Sequence, residues 1–165
     1  MCIFEGKTLL NTGSLDAGLK KSFWLFGAGF VLVFCLDQWI KYLILTGFRY
    51  QSEMLSIILV YNRGVAFSML SFLGDFLKYL QIFLVILMWF LLVRQREFFV
   101  RNDYAFGMIF GGGCSNILDR FIHGGVVDYV YWHYGFEFAV FNFADVMIDV
   151  GVGILILKML LSKTK

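Results

Sequence analysis

Four apolar stretches dominate this chain, over residues 23–45, 76–93, 104–122 and 139–161. About 20 apolar residues cover the ~30 Å hydrocarbon core of a bilayer as a helix, so each stretch has the length of a span. A closed β-barrel would instead alternate apolar and polar residues over segments of about ten, and that period is missing. The fold class read from this pattern is an all-α integral membrane protein with four transmembrane helices. Residues 1–22 form a tail, 23–161 one membrane domain and 162–165 a second tail.

Composition supports the reading. Of 165 residues, 60% are apolar, 19% aromatic and only 16% charged, with a mean hydropathy of +0.78. Soluble domains are about 45–50% apolar and about 25% charged. Disorder is excluded, since disordered segments are polar and poor in aromatics. Net charge +2 without a basic run gives no footprint for nucleic acid. Lys20-Lys21 precedes the first apolar run, but no small-x-small cleavage site follows, so that run reads as a retained span. Cys2, Cys35 and Cys114 form no C-x-x-C pair and read as packing thiols.

Four spans put both termini on one side. Lys7, Lys20, Lys21, Arg94, Arg96, Arg101, Lys158, Lys163 and Lys165 gather there. Arg49, Arg63 and Arg120 fall on the other side, with Lys41 and Lys78 near span ends. The excess of Lys and Arg marks the side with the termini as cytoplasmic. Two regions then face outward. Residues 46–75 are apolar but interrupted by Asn62-Arg63-Gly64, and read as a small sheet or re-entrant piece. Residues 123–138 carry Tyr129, Tyr131, Trp132 and Tyr134, which suit the headgroup level.

Polar residues at membrane depth are costly, so they are usually functional or paired. Asp37 and Lys41, four apart, share a helix face. They serve either as a self-neutralising pair that lets the span insert or as groups facing a substrate. Asn116, Asp119 and Arg120 share a face near the outer end of the third helix, one turn beyond Gly111-Gly112-Gly113, which reads as a close helix contact. Asn142 and Asp145 open the fourth helix. Asp149 lies one turn deeper, without a partner nearby in sequence, and is expected to face the bundle.

Asp128 and Asp145 sit at the outer ends of neighbouring helices. Two close carboxyls share a proton, so one can take a proton from water while the other hydrogen-bonds a scissile carbonyl. Membrane carboxylates also line ion and proton pathways, and spacing alone leaves both readings open. G-x-S-x-G is absent, as is H-E-x-x-H, and the gaps among His123, Asp128 and His133 carry no metal signature.

Five blocks together resemble the lipoprotein signal peptidases, the signal peptidase II family of bacterial aspartic membrane peptidases. They are Asp37-Gln38-Trp39-Ile40-Lys41; Tyr61-Asn62-Arg63-Gly64-Val65-Ala66-Phe67-Ser68; Gly112 through Arg120, with Asn116 and Asp119; Gly125-Val126-Val127-Asp128-Tyr129; and Phe141-Asn142-Phe143-Ala144-Asp145. The resemblance implies cleavage of diacylglyceryl-modified prolipoproteins just before the lipidated cysteine. It implies Asp128 and Asp145 as the catalytic pair. It implies Asp37, Lys41, Asn62, Gly64, Ala66, Phe67, Asn116, Arg120, Val126, Asn142 and Ala144 as residues lining the site. It further implies a small extracytoplasmic β-platform around Asn62, a periplasmic loop or lid before the fourth helix, and an active site near the outer face of the bacterial inner membrane. Globomycin-type antibiotics would block that site. No cofactor, metal or nucleic acid is implied, and the expected state is a monomer embedded in membrane lipid.

Three features depart from the family pattern: the carboxyl at Asp149, Val65 where alanine is common, and the N-terminal tail, residues 1–22, which lies outside the resemblance. The competing readings are a small proton- or ion-coupled transporter, which would need further carboxylates threading toward the cytoplasm, and a non-enzymatic membrane scaffold, which would tolerate Asp128→Asn and Asp145→Asn.

Overall fold

The computed structural model describes residues 6–64 and 69–162. Its elements are α1 (Gly6–Leu45), β1 (Tyr50–Gln51), β2 (Leu55–Asn62), a 3-10 turn (Ser71–Leu73), α2 (Phe76–Arg94), α3 (Arg96–His123), β3 (Val126–Trp132) and α4 (Phe143–Ser162). The protein is thus mostly helical with a three-stranded sheet. The strand order is β1-β2-β3, with both pairings antiparallel. Residues Gly18–Leu45 of α1 and the whole of α2 are each long and apolar enough to cross a membrane. Helices α3 and α4 carry charged residues along their length.

Helix boundaries differ from the apolar runs for identifiable reasons. Helix α1 begins at Gly6, far ahead of residue 23. Helices α2 and α3 meet at the single residue Gln95, whose φ of −103° and ψ of 62° break the helix. The Gln95 N–H closes α2 onto Leu91 O and Leu92 O. Helix α3 ends where Gly124 turns left-handed at φ 70°, a conformation that suits glycine. Helix α4 starts at Phe143 rather than 139, because Phe141 still exchanges main-chain hydrogen bonds with Val130 of β3.

Helix α3 is the hub, packed against α1, α2 and α4. Two glycines permit that approach. A β-carbon at Gly111 would stand 2.7 Å from Phe30 O on α1, and one at Gly112 would stand 2.7 Å from Ala144 O on α4. Small residues of this kind set helix separation in lipid. Leu92, Phe99, Phe106 and Phe110 form the apolar core, flanked by Phe26, Phe30 and Trp89. The exterior is strongly apolar, with Trp24, Phe72, Phe76 and Trp39 among its exposed side chains. Cys35 belongs to this exposed face, while Cys114 is half-buried.

Residues 123–138 differ from the expected aromatic loop. Val126–Trp132 pairs with β2, with Asn62 opposite Val126 and Val60 opposite Asp128. Tyr129 is buried rather than interfacial, whereas Tyr134 is exposed.

Candidate active site

The first turn of α4 organises the site. A helix leaves its first N–H groups without internal partners. Here side chains take them in succession. The Phe143 N–H donates to Tyr129 Oη at 2.9 Å, the Ala144 N–H to Asp37 Oδ1 at 2.8 Å, and the Asp145 N–H to Asn142 Oδ1 at 2.9 Å. In return the Asn142 N–H donates to Asp145 Oδ2 at 3.2 Å. This is a reciprocal capping box in which Asp145 stands three residues after the cap. The carboxyl expected to do chemistry is thereby fixed by the helix it opens.

Asp128 is fixed by the sheet. Pairing of Asn62 with Val126 makes Asn62 and Asp128 diagonal neighbours on one face. Asn62 Nδ2 donates to Asp128 Oδ2 at 3.0 Å, and Asn142 Nδ2 donates to Asp128 Oδ1 at 2.7 Å. Asn142 therefore touches both aspartates. Burial, and then the neighbouring Asp145 carboxyl, push the Asp128 carboxyl up to about 7, against the hydrogen bonds from Asn62 and Asn142 and the charge of Lys41. Burial likewise raises the Tyr129 hydroxyl, which stays protonated.

Behind the pair lies a buried ion cluster. Lys41 Nζ is 2.6 Å from Asp37 Oδ2 and 2.6 Å from Asp119 Oδ2, and all three side chains are inaccessible to solvent. It also donates to Asn116 Oδ1 at 2.8 Å. An ammonium only donates, so the oxygen of the Asn116 amide faces Lys41. Its nitrogen then faces Asp145 and donates to Oδ1 at 2.8 Å. Ser115 Oγ donates to Asp37 Oδ2 at 2.6 Å, and Gln38 Nε2 donates to Ser115 Oγ and Asp119 Oδ1. The Val127 N–H donates to Asp119 Oδ2 at 3.0 Å, tying β3 to α3. Arg120 donates to Gly64 O and to Asn116 O, and the Gly64 N–H donates to Asn62 Oδ1 at 2.9 Å.

A cavity of about 420 Å³ opens onto both carboxyls. Asn62, Asn116, Arg120 and Val126 line it, with the segment Phe138–Phe141 and, deeper along the helices, Gln81 and Asp149.

Most residues expected from sequence converge here. Asp37 and Lys41 lie in the ion cluster rather than facing the cavity, which favours the self-neutralising reading. Ala144 contributes its N–H to Asp37 and its closeness to Gly112. Ala66, Phe67 and Val65 lie outside the described residues. Gln38, Ser115, Tyr129 and Gln81 were not expected. Ser115 and Asp119 are four apart, and Asn142-x-x-Asp145 has the spacing of a capping box, so local signals existed for those. Gln81 is a polar residue inside an apolar span, which is a signal of its own, whereas Tyr129 offers none.

Comparison with known proteins identifies the family. The family model described as signal peptidase (SPase) II matches residues 29–161. A lipoprotein signal peptidase of Helicobacter pylori is 62% identical over 146 residues, covering 88% of this chain and 93% of the relative. Lipoprotein signal peptidases of Wolinella succinogenes and Campylobacter jejuni are 61% and 52% identical, over 76% and 88% of this chain and 86% and 93% of theirs. Two solved bacterial membrane enzyme structures align with TM-scores of 0.67 and 0.62, at 29% and 28% identity. They cover 88% and 86% of this chain and 90% and 93% of their own. The fold and the matched family are those of a membrane peptidase. This chain belongs to the signal peptidase II family.

Proposed function

We propose that this protein removes the signal peptide from diacylglyceryl-modified prolipoproteins, cutting just before the lipidated cysteine, with Asp128 and Asp145 as an aspartic pair. The observation that carries the reading is the cavity onto which both carboxyls open, each held by amide donors. The pair holds one proton. Water enters between the carboxyls, and the ionised one takes its proton as the oxygen adds to the scissile carbonyl carbon. The protonated one donates to the carbonyl oxygen. Collapse of the tetrahedral adduct breaks the C–N bond, and the leaving amine takes a proton from the pair. The products are a signal peptide with a free carboxylate and a lipoprotein with a free amino group on its lipidated cysteine.

In the same reading all four helices span the bacterial inner membrane, with both termini cytoplasmic and the site near the outer face. The Phe138–Phe141 segment covers the bound peptide as a lid. The protein works as a monomer, taking substrate from surrounding lipid, and a globomycin-type cyclic peptide competes for the cavity. A transporter is not favoured: relatives 62% identical over 88% of the chain are lipoprotein signal peptidases, and among the described residues Phe26, Phe106 and Phe110 pack the bundle below the site.

The test is cleavage of a lipidated prolipoprotein by the purified protein, followed by mass spectrometry, with the unlipidated precursor alongside. The expected result is a single cut before the cysteine in the lipidated substrate only. Intact substrate after incubation with folded protein overturns the reading.

A further inference from the structure

Two polar groups in the cavity take no part in the network around the aspartates. Gln81, in the second turn of α2, lines the cavity, and its Oε1 is buried without a hydrogen-bond partner among the described residues. Asp149, on α4, lines the same cavity and is exposed. It stands four residues after Asp145, about 6 Å further along the helix axis. A buried unpartnered acceptor and a carboxyl on a membrane helix are both costly features. Both present acceptor oxygens, from two helices, α2 and α4, that each pack against α3.

The proposed substrate supplies what they lack. A signal peptide runs away from the cut toward the cytoplasm, so its residues before the scissile bond lie deeper than the aspartates. Cleavage requires that stretch to be unwound. Unwinding strips main-chain N–H groups of their carbonyl partners one helical turn back, and lipid offers no replacement. An extended chain advances about 3.3 Å per residue, so 6 Å corresponds to about two residues. Successive N–H groups of an extended chain point to opposite sides, one toward each wall.

We propose that Gln81 and Asp149 form a substrate-binding subsite that accepts main-chain N–H groups of the second and third residues before the scissile bond, holding the signal peptide unwound. The inference rests on the peptidase reading above. It recognises backbone rather than side chain, so it tolerates varied signal sequences.

The experiment uses lipidated substrates in which one amide at either position is replaced by an ester, which puts an oxygen in place of the N–H donor. An ester on the mature side of the cut is the control. In the wild type, an ester at either position lowers kcat/KM about tenfold relative to the all-amide substrate. In Gln81→Met one of the two penalties vanishes, and in Asp149→Leu the other. Gln81→Glu and Asp149→Asn, which keep an acceptor oxygen, retain them. Equal rates on amide and ester substrates by the wild type overturn the proposal without any variant being needed. Penalties unchanged in Gln81→Met and Asp149→Leu overturn it as well. Failure of the wild type to cut the all-amide substrate is a separate result, and removes the peptidase reading itself.

Discussion

Asn142 donates from Nδ2 to Asp128 Oδ1 at 2.7 Å. The same residue caps α4 by accepting the Asp145 N–H on Oδ1 at 2.9 Å. One amide thus joins the carboxyl of the sheet to the carboxyl of the helix. Its two roles separate by substitution. Asn142→Ala loses both, with a cost of about 1–2 kcal/mol from the lost cap and loss of cleavage. Asn142→Ser keeps a cap but cannot reach Asp128. Thermal unfolding in detergent is expected to recover toward wild type in the Ser variant, while the cleavage rate stays low.

Lys41 balances two buried carboxylates, Asp37 and Asp119, at 2.6 Å each. Removing one partner of a buried ion cluster leaves an uncompensated charge, at about 3–5 kcal/mol. Lys41→Met is therefore expected to lower Tm steeply and to reduce the yield of folded protein. Asp37 also caps Ala144, so Asp37→Leu should destabilise the α4 terminus and slow cleavage together.

The Asp128 carboxyl, pushed up to about 7, sets a pH limit. Below that pH the pair keeps its shared proton. As pH rises through about 7 the proton is lost, and the activity that needs it falls. The hydrogen bond from Asn62 favours the ionised form of Asp128, so its removal raises the carboxyl further. The alkaline limb of kcat/KM in Asn62→Ala is expected at higher pH than in wild type, alongside a lower maximum. A limb displaced to lower pH would contradict the assignment.

Gly112 and Gly113 make a paired test of helix spacing. A β-carbon at Gly112 meets Ala144 O at 2.7 Å and Ile148 Cγ1 at 2.9 Å, whereas one at Gly113 meets nothing within 4 Å. Gly112→Ala is expected to push the α4 terminus, and Asp145 with it, away from Asp128, and to lose most activity. Gly113→Ala is expected to keep the wild-type cleavage rate.

The helices and most site residues are legible in the sequence because their signals are local. Apolar runs locate α2 closely, at Phe76–Arg94. Phe141-Asn142-Phe143-Ala144-Asp145 carries its own capping geometry. What escaped depends on distant partners. Strand β3 reads as an aromatic interfacial loop until β2 pairs with it, and Tyr129 is buried only because its hydroxyl meets the start of α4. The bond between Asp37 and Ala144 spans 107 positions, and no local pattern announces it. Gln81 reads as one polar residue in an apolar span, and only the folded chain places it in the same cavity as Asp149.

In the proposed mechanism Asp128 and Asp145 act as one unit, and single-turnover cleavage of a lipidated prolipoprotein tests this. Wild type, Asp128→Asn, Asp145→Asn and the double variant are compared at equal amounts of folded protein. Each single variant is expected to lose about 10⁴-fold or more, and the double variant to be no slower than either, because groups acting together are non-additive. A single variant that cuts at the wild-type rate, or losses that simply add in the double variant, would contradict it.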